Sequence, residues 1–594
     1  MTYETDVLVV GSGPTGMTTA LALATYGVKV HVVSMWNWLA NTPRAHITNQ
    51  RAAEVLRDLG VEGEVTKYAV PGELMGDTLF TTSLAGEEVA RLRTWGTGPD
   101  RATNYLQASP CTLLDVPQDI VEPILVNNAA KRGAQISMNT EYISHVQDAE
   151  GVTTTLRDRL TGREYEIRSK YLVGADGAKS KIVDDLELPF EGHLARAGTL
   201  YTLFHADLSK YVAHRPSILY WVMTPEADFG EIGMGLLRTV RPWNEWIAGW
   251  GFDMNKVEEV KESNNLHSGP VQFTAPDADV ETVTRKIRAL VGDPDLEIDV
   301  KWSSTWFVNQ SHATNFQKGR VLCGGDAVHR HPPSGGLGSN TCISDGFNLA
   351  WKLAYVINGY AGPELLESYS QERVPVGEQI VTRANKSRHT YAPLREAFAA
   401  PEAADRIQGG LDKLADPTPE GAHARAALRD AVELRNYEFN ALGVEVNHRY
   451  ESNAVIPDGT TETWDQDPEL FYQASTRPGA KIPHAWLVNR AGLRVSTMDV
   501  VGKGKLSLVT GLAGKAWADA VNELNLPFLQ AVVIDSPNAR DLYGDWARIR
   551  EISEGGALLV RPDGFIAWRQ LNDVFDQAEA LAQLNEALNK VLSK

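Results

Sequence analysis

The chain has 594 residues, 43% hydrophobic and 22% charged, which is the composition of a globular protein and excludes a largely disordered or fibrous one. Lys and Arg number 57 against 76 Asp and Glu, a net charge of −19, and such a surface repels phosphate backbones and anionic lipid, so neither nucleic acid nor a membrane is an expected partner. The 3 cysteines, Cys111, Cys323 and Cys342, are too few and too scattered for a disulfide framework or a zinc site.

No basic stretch followed by an apolar core opens the chain, and no run of about 18 apolar residues occurs in it, so a cytoplasmic location is expected. Asp6–Val10 reads as a short buried strand. It enters the glycine turn Gly11-Ser12-Gly13-Pro14-Thr15-Gly16, which opens a helical pattern stopped near Gly27, and Val28–Val33 reads as a second strand. Strand, turn, helix and strand within about 30 residues make a βαβ unit with a parallel pair. Residues 45–60 and 117–132 have helical spacing, and 171–175 form another buried strand. Residues 195–310 alternate like strands and carry Trp221, Trp243, Trp246, Trp250, Trp302 and Trp306, which points to a sheet-rich layer. A strand at 320–325 leads through a glycine loop into a helix ending near Leu353. Residues 376–440 read as helical, 454–480 as a Pro-, Asp- and Thr-rich linker, and strands and helices resume at Lys481. No internal repeat is present.

The glycine turn has the context that gives the G-x-G-x-x-G pattern meaning. Its first glycine permits the tight turn, its second admits a pyrophosphate, its third lets helix and strand pack, and the helix N-terminus offers free N–H groups to phosphate. An acidic residue to hold the ribose is expected at the end of the second strand, where this chain has Val33-Ser34-Met35. Ser34 or a backbone group is left with that task.

Two further segments resemble signatures of the single-component, FAD-dependent aromatic hydroxylases. Gly174-Ala-Asp176-Gly177-Ala-Lys-Ser180 resembles their D-G motif, and the stretch from Gly319 through Asp326, Pro333 and Gly338 to Asn340 resembles their G-D motif. The latter continues into Asp345-Gly-Phe-Asn348-Leu-Ala-Trp351-Lys352, then Tyr369-Ser-Gln-Glu372-Arg373-Val-Pro375. Within that family the chain is most similar to bacterial phenol hydroxylases of the 2,4-dichlorophenol 6-monooxygenase type. The carrying residues are Asn41-Thr-Pro-Arg44-Ala-His46, then Val55–Gly60, Arg93–Gly96 and a tail stretch from Arg477 to Trp486.

The resemblance implies an α/β fold, α+β overall. It divides the chain into a Rossmann-like FAD domain built from 1–190 and 311–390, a sheet-rich substrate domain at 191–310, a helical connector at 391–453, and a thioredoxin-like domain at 454–594. That last domain has no cysteine, so a structural or dimer-forming role replaces dithiol exchange. FAD is the implied cofactor, NADPH and O2 the co-substrates, a small aromatic the substrate, and a homodimer or homotetramer the assembly.

By resemblance, Asp326 accepts hydrogen bonds from the ribitol chain, for which an acceptor-only carboxylate is suited. Gly335, Gly336, Gly338 and Asn340 form a loop whose backbone N–H groups approach the flavin, with the following helix dipole behind them. The Pro333 carbonyl faces the substrate side of the ring. Arg44 and Gln118 contact FAD, and Asp176 helps hold FAD and NADPH together. The arginine usual seven residues after that aspartate is replaced by Val183.

The implied reaction converts a phenol, chlorinated or not, to a catechol by hydroxylation ortho to its hydroxyl, through a flavin C4a-hydroperoxide. Phenols ionise near pH 10, so an acceptor at the hydroxyl lowers the barrier. His46 is the candidate for that acceptor, and Trp221 for a wall against the aromatic ring. A larger polycyclic or polyketide aromatic is an alternative substrate, and a non-catalytic redox-sensing flavoprotein an alternative function. A halogenase is disfavoured because Gly249-Trp-Gly-Phe252 does not match the G-W-x-W-x-I-P stretch of those enzymes. His329 and His331 have no third ligand nearby and are not read as a metal pair.

Overall fold

The computed structural model describes residues 3–225, 232–252 and 279–594. Parts of the sheet-rich stretch, 226–231 and 253–278, lie outside the described residues.

The N-terminal strand Tyr3–Val10 lies at the centre of a sheet, parallel to Val30–Val33 on one side and to Glu164–Gly174 on the other. Glu164–Gly174 in turn pairs in parallel with Val321–Cys323. Their apolar runs are almost fully buried, as expected of a parallel sheet covered on both faces. The register decides the function. Val10 pairs with Val33 and with Gly174, and Gly174 pairs with Cys323. Four strands therefore end on one line. The segments that follow them, Ser34, the Gly11 turn, Asp176 and the Gly324–Asp326 turn, share one carboxyl edge of the sheet, which is where doubly wound sheets bind ligands.

Two helices fill the space behind that edge. Pro14–Thr25 begins with proline at its first turn, where the missing N–H costs nothing. It crosses Leu337–Ile357 at Gly346, where a Cβ would come within 2.6 Å of the Thr15 carbonyl. The second expected helix is shorter than 45–60. It runs Gln50–Asp58, capped by the Asn49 side chain on the Ala52 N–H, because Ile47–Thr48 is drawn into a short ladder with Leu114–Asp115.

A second sheet has the order His329–Arg330, Asp299–Ala313, Phe190–His205, Glu245–Phe252, Gly235–Arg241, Leu219–Val222, Asp77–Thr81 and Glu88–Arg93. It reaches past the 191–310 stretch at both ends, because Asp77–Thr81 joins Leu219–Val222 as a parallel neighbour. Side chains alternate across it. Tyr220, Val222, Leu237, Trp246 and Trp250 pack on the helix Val280–Val291. Leu219, Trp221 and Leu236 face the other way, toward Ile47, Tyr391 and Phe398.

Residues 454–480 hold no helix or strand, but they are strapped down rather than free: Arg449 donates to Glu462 at 2.7 Å, Tyr437 to Asp467 at 2.6 Å and Arg383 to Glu469 at 2.7 Å. Beyond them, Leu506–Thr510 and Leu529–Val533 form a parallel pair joined by the helix Lys515–Leu524, extended antiparallel by Ala557–Val560 and Ile566–Gln570. The final helix, Gln577–Val591, closes a core shared with Trp351 and Tyr355.

Candidate functional site

The glycine turn has two glycines spent on packing and one left open. A Cβ on Gly11, whose φ is +112°, would stand 2.0 Å from the Ala175 carbonyl, and one on Gly16 would stand 2.0 Å from the Gly11 carbonyl. At Gly13 the nearest atom is a Glu122 carboxylate oxygen at 3.9 Å, so its face is free for a phosphate. Ser12 Oγ donates to Ser34 Oγ at 3.0 Å, tying the turn to the end of the second strand. The carboxylate missing from that strand end has a neighbour from elsewhere. Glu122, on the helix Gln118–Lys131, borders the turn and accepts from Ala40 N–H at 2.7 Å and from the Gln118 amide. Burial pushes its carboxyl up, with Arg44 among the groups opposing. Arg44 is exposed at the mouth, its carbonyl accepting from Gln118 N–H at 2.9 Å.

Asp176 is engaged in protein. It accepts from Ser180 Oγ at 2.5 Å and from Ile182 N–H at 3.4 Å, at the start of the helix Lys181–Leu186. Val183, where the family's arginine is expected, is fully buried in the core. Asp326 has the opposite character: it is exposed on a tight turn, with Cys342 Sγ at 3.7 Å, and offers acceptor oxygens to a polyol. The glycine loop follows. Gly335 and Gly336 have φ of +78° and +64°, which favours glycine, and the Pro333 carbonyl accepts from Gly336 N–H at 3.0 Å. A Cβ on Gly338 would face the His331 ring at 3.5 Å. The Asn340 amide donates to the Ile47 carbonyl at 2.8 Å and accepts from Asn49 N–H at 2.9 Å, so it joins this loop to the segment that carries His46. His329 and His331 each spend a ring nitrogen on a protein acceptor, Asp345 and the Pro332 carbonyl.

His46 is 6% exposed, and neither ring nitrogen makes a well-formed hydrogen bond. Its Nδ1 lies 3.7 Å from Asp115 Oδ1. Arg238, reaching over from the second sheet, donates to that same oxygen at 2.6 Å. Burial and the Arg238 cation hold the imidazole pKa well below its usual value, against the pull of the Pro43 carbonyl, so the ring is a neutral acceptor. Asp115 is 1% exposed, and burial pushes its carboxyl up to about 6 despite Arg238. Cross-strand register puts Trp221, Leu236, Leu219 and Arg238 on one face, and Tyr201 and Trp306 continue it with ring centroids 5.6 Å apart. Trp221 itself is buried, edge-on to Tyr391 at 5.2 Å.

Asp115, Arg238 and Glu122 were not singled out from sequence. The first two are lone charges within the apolar runs Leu113-Leu-Asp-Val116 and Leu236-Leu-Arg-Thr-Val240, and such charges are buried only when paired.

Comparison with known proteins agrees with this geometry. Residues 4–384 match the FAD binding domain family, and residues 475–594 match the aromatic-ring hydroxylase C-terminal family. The chain belongs to the FAD-binding aromatic-ring hydroxylases. It is 46% identical to 2,4-dichlorophenol 6-monooxygenase of Cupriavidus pinatubonensis, over 100% of this chain and 97% of that one. It is 45% identical to phenol 2-monooxygenase of Pseudomonas sp., over 97% and 92%. Among solved structures it is similar to the flavin-dependent monooxygenase PieE in complex with FAD and substrate, with a TM-score of 0.90, 40% identity and 99% of both chains covered. As a member of this family the chain is a flavoprotein monooxygenase using FAD, with NADPH as co-substrate. The open face at Gly13, the exposed carboxylate of Asp326 and the bare glycine loop fit that cofactor.

Proposed function

We propose that this hydroxylase converts a phenol, with chlorophenols included, to a catechol by hydroxylation ortho to the phenolic oxygen. The observation that carries the reading is the buried set His46, Asp115 and Arg238, set against the aromatic face of the second sheet and tied through Asn340 to the glycine loop. The names of these two relatives support it. Bound FAD, reduced by NADPH, supplies activated oxygen.

The chain's own residues prepare the substrate. A phenol holds its proton until near pH 10, and ring attack is faster once that proton is shared. Neutral His46 accepts a hydrogen bond from the phenolic hydroxyl. Burial and the Arg238 cation disfavour an imidazolium, so the ring shares the proton rather than taking it, and Asp115, which Arg238 keeps in place, lies 3.7 Å from its Nδ1. Trp221 and Leu236 offer the flat apolar wall for the ring. By resemblance the Pro333 carbonyl faces the substrate side of the ring and the loop Gly336–Gly338 faces the flavin.

His46→Ala tests the assignment. The variant is expected to bind FAD as the wild type does but to lose roughly 10²-fold or more in catechol formation, while NADPH oxidation continues and releases peroxide. Product should be quantified rather than NADPH consumption, because uncoupled oxidation mimics turnover. Wild-type enzyme that forms no catechol from any simple phenol, yet hydroxylates a polycyclic aromatic, would overturn the substrate class.

A further inference from the structure

The G-D turn and the C-terminal sheet are joined by a continuous set of buried charges that the reaction does not use. Asp345 begins it. Its Oδ2 accepts from Gly325 N–H at 3.0 Å and contacts His329 Nε2 at 2.8 Å, and its Oδ1 accepts from Arg373 Nε at 2.7 Å. Glu372, the residue before Arg373, is gripped from the C-terminal sheet. Arg561 donates to both its oxygens, at 2.6 and 2.9 Å, and turns its remaining donors to Asp563. Lys352 and Asn348 donate to Glu372 at 2.8 Å. Arg373 also donates to the Tyr450 hydroxyl at 2.9 Å, and Tyr450 stacks on Phe565 with centroids 4.1 Å apart. Asp345, Lys352 and Arg561 have no exposed surface at all, and Glu372 and Arg373 have 1%.

Such a network is costly unless complete. A carboxylate buried without its partners loses its hydration with nothing in exchange, and removing one partner of a buried pair is far worse than never having had it. Glu372 keeps Lys352 without the C-terminal sheet, but loses the two-pronged grip of Arg561. Glu372 and Arg373 are adjacent on the helix Glu367–His389, one held by the C-terminal sheet and the other holding the turn that presents Asp326.

We propose that Arg561 is a positioning residue for the flavin. Its seat on Glu372 fixes the helix that carries Arg373. Arg373 fixes Asp345, and Asp345 fixes, through Gly325 N–H, the turn from which Asp326 meets the cofactor's sugar chain. The C-terminal sheet is thereby a working part of the FAD site, and its docking and FAD binding strengthen each other reciprocally. The proposal rests on the assignment of Asp326.

The test uses full-length apoprotein titrated with FAD. Arg561→Met is expected to weaken FAD binding on the order of tenfold, Arg561→Lys to restore part of the loss, and Tyr450→Phe, a milder change at the same junction, to show a smaller loss. FAD should also slow proteolytic cleavage within residues 454–480 of the wild type and protect Arg561→Met less. If Arg561→Met melts earlier but binds FAD with wild-type affinity and shows wild-type protection, the network is structural only and the proposal fails. If Arg561→Met does not fold, Tyr450→Phe decides on the same two readings. Asp326→Ala is the separate control: undiminished FAD binding there removes the ribitol assignment, whatever Arg561 does.

Discussion

Among the described residues Arg238 is the one cation beside Asp115, and the second oxygen of Asp115 makes no hydrogen bond. Its carboxyl, pushed up to about 6 by burial, changes charge within the working range of an enzyme. The sign follows directly. Below about pH 6 the group is neutral; above it the carboxylate is ionised, offsets the Arg238 cation and makes the His46 ring a better acceptor for the phenolic hydrogen. The phenol kcat/KM is therefore expected to rise with pH through about 6 and then level. Asp115→Asn should abolish that limb and lower the plateau roughly 10²-fold, measured as catechol formed across pH 5 to 8. A limb that persists in Asp115→Asn would assign it to another group. At this scale the sequence was legible where the backbone demands a residue type, as at Gly11, whose φ of +112° and close approach to the Ala175 carbonyl require glycine. It was not legible at Asp115 and Arg238, because a charge within an apolar run implies a partner without identifying it, and these two partners are 123 positions apart.

The elements were more legible than their ends. Hydrophobic period and glycine punctuation located the βαβ unit, but the helix expected from residue 45 begins at Gln50, since cross-strand pairing of Ile47 outweighed helical spacing, while the Asn49 cap that marks the true start was present all along. The short helix Leu442–Val446 shows what an element tolerates. Its Glu445 is buried, Oε2 has no hydrogen-bond partner, and burial alone pushes the carboxyl up to about 8. Folding therefore favours the protonated form. The stability this group contributes is complete below the unfolded-state value of 4.5 and is lost progressively as pH rises from there to about 8, a range over which the unfolded chain is ionised while the folded one stays protonated. Glu445→Gln, which cannot ionise, should match the wild type near pH 5 and exceed it at pH 8.5 by a few kcal/mol, read as a rise in Tm of several degrees. Equal Tm differences at both pH values would mean that amide packing, rather than charge, governs the site.

For the whole molecule, what sequence could not convey is how segments are shared between sheets. Asp77–Thr81 lies within the N-terminal third but completes the second sheet beside Leu219–Val222, and no local pattern announces a parallel neighbour so distant along the chain. The convergence of the three glycine-and-aspartate segments was legible because each follows a buried strand, and parallel register places strand ends on one line. Net charge is the other whole-molecule property. At −19 the protein's field opposes the approach of NADPH, a polyanion, and leaves a neutral phenol untouched. Screening weakens that field over about 10 Å at 0.1 M salt. The kcat/KM for NADPH is thus expected to rise several-fold between about 10 and 150 mM ionic strength, while the value for phenol stays flat. Stopped-flow measurement of flavin reduction at fixed phenol isolates the encounter. A fall with salt would instead show that a local cationic surface around Arg44, exposed at the mouth of the site, outweighs the charge of the whole.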